Sequence, residues 1–122
     1  MMIKEINLTD FSNHLAEAKK SGLVFCNNTK YYGFFKEDNL FGFCGVLPYK
    51  NKWVFKNAFV LEEHRCKGYH KKMMDFRFNL AKQNKIKTIE TTCTEMSLNS
   101  YIKIGFKITK QYKIYTKLKI TL

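Results

Sequence analysis

The sequence has no long hydrophobic run. Its longest apolar stretch, LFGFCGVL at residues 40–47, is eight residues and includes two glycines, whereas a membrane-spanning helix needs about 20. A secretory leader is not legible either, because the opening MMIKEINLTDF places Glu5 where a leader needs an apolar core. These absences predict a soluble, cytoplasmic protein with no membrane partner. The four cysteines, Cys26, Cys44, Cys66 and Cys93, form no CxxC pair, and His64, Cys66 and His70 match no common metal-ligand spacing. Free thiols and no metal site are therefore expected.

Arginine is scarce. Of the 22 basic residues only Arg65 and Arg77 are arginine, and against 10 carboxylates the formal charge is +12. That excess favours anionic partners such as nucleic acid, an acidic protein face or a phosphorylated cofactor. Direct reading of bases leans on arginine forks, so the near absence of arginine disfavours it. Lysine spread along a chain also rich in Asn and Ile gives the same charge by composition alone. There are no repeats, linkers or low-complexity tracts, and 122 residues make one domain, 1–122, with one core. A content of 45% hydrophobic and 16% aromatic residues supplies that core and excludes disorder.

The patterning predicts an α/β chain in the order strand, helix, three-strand meander, helix, strand, helix, two strands. Residues 3–8 read as a strand. A helix capped by Thr9 or Asp10 follows, with Phe11, Leu15 and Ala18 on one face and Gly22 as its stop. Residues 23–26 are a short apolar piece of open type. Strand-like runs at 30–36, 40–47 and 53–60 are separated by EDN and PYKN, both turn-forming. The period then becomes helical over 69–84: Tyr69, Met73, Phe76 and Leu80 share one stripe, and Met74, Phe78 and Ala81 a second. Further on lie a strand at 86–93, a helix at 97–104 closed by Gly105, and strands at 106–110 and 112–120. In the last strand Ile114, Thr116, Leu118 and Ile120 share one face, while Lys117 and Lys119 on the other read as an edge guard against aggregation.

One of the two arginines stands in HRCKGYHKK, where the strand pattern passes into the 69–84 helix. A helix N-terminus offers unpaired N–H groups and partial positive charge, so this turn can hold a pyrophosphate mainly through main chain. Gly68 permits close approach, and Arg65, Lys67, Lys71 and Lys72 add charge.

The run VLEEHRCKGYHKKMMDF resembles the cofactor-binding motif V-x-x-x-x-[RQ]-x-x-G-x-[GA] of the GNAT N-acetyltransferase superfamily. SLNSYIKIGFK resembles that family's Y-x-K-x-G-F signature, with Tyr101, Lys103, Gly105 and Phe106 in place. The resemblance covers residues 40–120. It implies a mixed, mostly antiparallel sheet with central splayed strands flanked by helices, and acetyl-coenzyme A as co-substrate. Phe59, Val60 and Leu61 would bond the pantetheine arm through main chain, and Arg65, Cys66, Lys67, Gly68, Tyr69, His70 and Lys71 would cradle the pyrophosphate. Tyr101 would be the general acid that protonates the departing thiolate. Many members carry a glutamate base on the strand before the motif. No carboxylate occurs here from residue 50 to 61, which leaves Glu90 on the next strand, or water, as the base.

Three features depart from the family pattern: His70 stands for Gly or Ala, Thr94 for a common Asn, and one N-terminal helix for two. A shortened cover implies an open acceptor site, suited to a protein lysine or terminal amine. The competing readings are a phage-type relative that modifies nucleic acid bases and a binding module that keeps the fold without catalysis.

Overall fold

The computed structural model describes residues 1–20 and 28–122, apart from the side chains of Ser12, His14 and Leu15. Gly22, Cys26 and the apolar piece at 23–26 lie outside the described residues. Seven strands form one sheet: β1 Met2–Ile6, β2 Lys30–Lys36, β3 Asn39–Tyr49, β4 Lys52–Val60, β5 Thr88–Cys93, β6 Lys107–Gln111 and β7 Thr116–Thr121. The order across the sheet is β1-β2-β3-β4-β5-β7-β6. Every pairing is antiparallel except β4 with β5.

Helices lie on both faces. Ala18 of α1 (Ser12–Lys20) packs with Tyr31, Phe43 and Phe59 on one face. On the other, α2 (Tyr69–Gln83) brings Met73 to Phe34, Phe41 and Val60, and Met74 to Val46, Phe55 and Ile89. The third helix, α3 (Glu95–Ile104), adds Leu98 and Tyr101 to that second cluster. Among the described residues no helix is long and apolar enough to cross a membrane.

The two meander turns form as the sequence predicts. Glu37 and Asp38 link β2 to β3 with positive φ at both (52° and 67°), as a two-residue turn matched to strand twist requires. Strand β3 runs past the predicted 47 to Tyr49. Pro48 is tolerated because β2 pairs only as far as Val46, so its missing N–H faces no neighbour.

The first helix starts differently from expectation. Residues Leu8–Phe11 form a 3-10 turn, and the Asn7 carboxamide oxygen accepts from both the Thr9 amide (3.2 Å) and hydroxyl (2.9 Å). Asn7 is thus the local cap, in place of Thr9 or Asp10. At the other end, residues 112–115 are a turn closed by the Tyr112 amide on the Tyr115 carbonyl (2.8 Å), which leaves Ile114 79% exposed. Because β7 lies between β5 and β6, its Lys117 and Lys119 are not on an edge. The edge strand on this side of the sheet is β6, which carries Lys107 and Lys110.

Candidate active site

The site begins where the sheet opens. Parallel pairing of β4 with β5 runs from Lys52↔Thr88 to Phe55↔Thr91 and stops. The Thr91 hydroxyl pins that last rung by donating to the Phe55 carbonyl (3.1 Å). Two residues later β4 carries a bulge: Cys44 pairs with Ala58 and Gly45 with Lys56, so Asn57 is extra. A bulge bends its strand and increases local twist, here turning β4 away from β5. Asn57 is held by the Tyr31 hydroxyl (2.9 Å).

Backbone groups are freed on the open edge. The Leu61 amide is spent on the Phe41 carbonyl (2.9 Å), and antiparallel alternation turns those of Phe59 to β3 as well. The groups facing the gap therefore belong to Ala58 and Val60. Arg65 Nε donates to the Val60 carbonyl (2.8 Å) and the guanidinium lies 5.4 Å from the Phe59 ring centroid, which ties the turn before α2 to β4.

That turn has positive φ at Cys66 (62°) and Gly68 (81°) but not at Lys67. Alternation of this kind gathers successive N–H groups into an anion-binding concavity. Gly68 is the N-cap of α2 and no side chain caps the helix, so the amides of Tyr69, His70 and Lys71 lack intrahelical acceptors. The Tyr69 ring packs on Phe41 (4.4 Å), and Lys71 lies 4.0 Å from Asp75 at the surface.

Between α2 and α3 runs a groove in two parts, about 580 Å³ over the split and about 530 Å³ toward the helix ends. Five residues line both parts: Ala58, His70, Arg77, Ser97 and Tyr101. No carboxylate lines either part, whereas Lys56, Lys71 and Lys103 do. Of the predicted turn, His70 and Lys71 reach the groove with Tyr101, whereas Arg65, Cys66, Lys67, Gly68 and Tyr69 do not line it. Burial, aided by the Arg77 and Arg65 guanidiniums, holds His70 below the ordinary imidazole value, so its ring is neutral at pH 7. Burial pushes the Cys93 thiol up, and that of Cys44 up to about 11, which removes both as nucleophiles.

Tyr101 is placed by the end of its own helix. The Gly105 amide bonds the Ile102 carbonyl (3.0 Å) and the Phe106 amide the Tyr101 carbonyl (3.1 Å), with Gly105 at φ 119°. This is a Schellman closure, and its accompanying apolar contact is Tyr101 edge-on to Phe106 (5.3 Å, 89°). The spacing Y-x-K-x-G-F is the spacing of that closure. No protein group among the described residues bonds the Tyr101 hydroxyl.

Glu90 lies apart from the groove. It sits on β5 opposite Val54 and accepts from Lys52 Nζ at 2.6 and 2.9 Å. Sequence reasoning missed Arg77. Only 1% exposed, it donates through Nη1 to the carbonyls of Gly45 (3.2 Å) and Lys56 (2.8 Å) beside the bulge, and lies 4.5 Å from the Phe55 ring centroid. A signal was present, since position 77 falls between the two apolar stripes of α2.

A model of the acetyltransferase (GNAT) family matches residues 2–106. No curated protein matches the sequence. Among solved structures the chain is similar to a GNAT family acetyltransferase from Elizabethkingia anophelis with acetyl-CoA bound, at 17% identity and TM-score 0.73 over 99% of this chain and 97% of that one. It is also similar to the PaiA N-acetyltransferase of Thermoplasma acidophilum in complex with coenzyme A, at 13% and 0.77 over 100% of both chains. A third is the ribosomal-protein-S18-alanine N-acetyltransferase of Escherichia coli, at 8% and 0.78 over 98% and 92%. At such identities the likeness is one of fold.

Proposed function

We propose that this chain, which belongs to the acetyltransferase (GNAT) family, transfers the acetyl group of acetyl-CoA to an amine, with a protein lysine or terminal amine as acceptor. The observation that carries the reading is the β4–β5 split, which opens into one groove holding Tyr101 at the split and the uncapped start of α2 beyond it. A groove without carboxylates fits a donor that carries phosphates. The pyrophosphate is held by the amides of Tyr69, His70 and Lys71 at Gly68, with Arg65, Cys66, Lys67 and the Lys71 ammonium around it, and the pantetheine arm lies along the end of β4 past Phe59, Val60 and Leu61, where the main-chain groups open to it are those of Val60 and Ala58 and not those of Phe59 and Leu61.

In this reading a neutral amine attacks the thioester carbonyl, a main-chain amide of β4 steadies the oxyanion, and Tyr101 protonates the leaving sulfur. A protein acceptor is supported by the fold neighbour whose name specifies an alanine of ribosomal protein S18.

Acetyl-CoA should raise the melting temperature by mass action, by about 2.7 kcal/mol of stability at a hundredfold excess over Kd. Thermal scans with and without millimolar acetyl-CoA test this, and a curve that ignores both acetyl-CoA and coenzyme A defeats the donor assignment.

Glu90 takes the acceptor's proton through water, since it stands outside the groove. Glu90→Gln should lower kcat by roughly tenfold, below the usual general-base contribution because a relay intervenes, and leave acetyl-CoA affinity unchanged. Steady-state kinetics with an unchanged kcat would give the proton to solvent and leave Glu90 as the partner of Lys52.

A further inference from the structure

We propose that Arg77 is the fixed cation that stabilises the coenzyme A thiolate as it departs, an inference that rests on the acetyl-transfer reading. A guanidinium is charged at any working pH, and taking it out of water is costly unless an anion compensates. No carboxylate does so here. Arg77 is 1% exposed, makes no ion pair among the described residues, and leaves its buried Nε without a hydrogen-bond partner. The two carbonyls and the Phe55 ring replace part of its hydration but bring no net negative charge.

The titratable groups packed around it do not supply that charge either. His70 on its own helix is held neutral, as are Cys44 on β3 and Cys93 on β5, and Lys56 on β4 is itself a cation. Tyr101 on α3 completes the set. The donor's pyrophosphate is held at the start of α2, so the anion that arises at the split itself is the one the reaction makes. The acceptor nitrogen forms its bond to the acetyl carbon, the carbon–sulfur bond breaks, and its electron pair goes to sulfur. The sulfur then takes a proton from Tyr101, which solvent reprotonates, while the acceptor's proton leaves through water to Glu90. Arg77 transfers nothing; its field lowers the energy of negative sulfur in a site of low dielectric. A purely structural Arg77 would be a clamp for the bulge carbonyls, a role that does not move the pKa of a bound thiol.

The experiment titrates the thiol of bound coenzyme A by its ultraviolet thiolate absorbance, in the intact protein at saturating coenzyme A. The thiol should titrate about one unit or more below that of free coenzyme A, the shift a neighbouring opposite charge produces. Arg77→Lys should keep most of that shift, and Arg77→Met should abolish it while kcat falls about tenfold. A wild-type bound thiol that titrates at the free value overturns the proposal without recourse to any variant, as does an Arg77→Met protein that folds and retains the shift. If Arg77→Met does not fold, Arg77→Lys and the wild type carry the test, and a shift lost in folded Arg77→Lys also counts against the proposal. A chain that binds no coenzyme A overturns the acetyl-transfer reading itself; one that binds it with an unshifted thiol overturns only the role of Arg77.

Discussion

Tyr101→Phe is expected to lower kcat by about two orders of magnitude while acetyl-CoA affinity and melting temperature stay near the parent values. The size is that of a lost general acid. The selectivity follows from how the residue is held. Its ring is fixed edge-on to Phe106 and its carbonyl accepts the Phe106 amide, and phenylalanine keeps both. The hydroxyl bonds no protein group among the described residues, so removing it strands no buried partner. A variant that melts much earlier would show that the hydroxyl is structural. Normal turnover would show that another group protonates the sulfur. The Arg77 proposal adds a second expectation: both residues act on the same sulfur, so the losses from Tyr101→Phe and Arg77→Met should not add.

The parts of this site written locally in the sequence were legible, and the parts made by tertiary contact were not. The Gly68 turn is the junction of a strand pattern and a helical one, and the Tyr101–Phe106 closure is a fixed spacing ending in Gly105; both can be read from a few consecutive residues. The bulge at Asn57 is invisible because the run from Trp53 to Val60 has no glycine or proline to mark it, and it exists only through the register of β4 on β3. Arg77 is hidden for a related reason. Its place between the two apolar stripes points it at the sheet, but its burial depends on the carbonyls of Gly45 and Lys56 that it finds beside the bulge, which no local pattern shows. The sequence pattern carries the last strand back to Tyr112 because Tyr112 and Ile114 have strand-like side chains in what is a turn. Its place inside the sheet, between β5 and β6, is set by pairings far apart in sequence.

Gly68→Val should leave a folded protein that acetyl-CoA no longer stabilises. A Cβ at Gly68 would meet no atom within 4 Å, so packing does not forbid a side chain. The constraint is the backbone: Gly68 sits at φ 81°, ψ 11°, a left-handed conformation that costs an ordinary residue about 1–2 kcal/mol and is worst for a β-branched one. The variant escapes by rotating residue 68 into the extended conformation of an ordinary N-cap. Tyr69–Gln83 then stays helical through its packing on β3 and β4, and the melting temperature drops by only a few degrees. The rotation turns the amides of Tyr69, His70 and Lys71 away from the concavity at Cys66 and Gly68, so the pyrophosphate loses its main-chain donors together. Asparagine tolerates the left-handed region, so Gly68→Asn should retain most of the stabilisation that Gly68→Val loses. Thermal scans of the three proteins across an acetyl-CoA titration decide the matter. Equal stabilisation of Gly68→Val and the parent would mean that lysine charge, and not the shape of this turn, holds the phosphates.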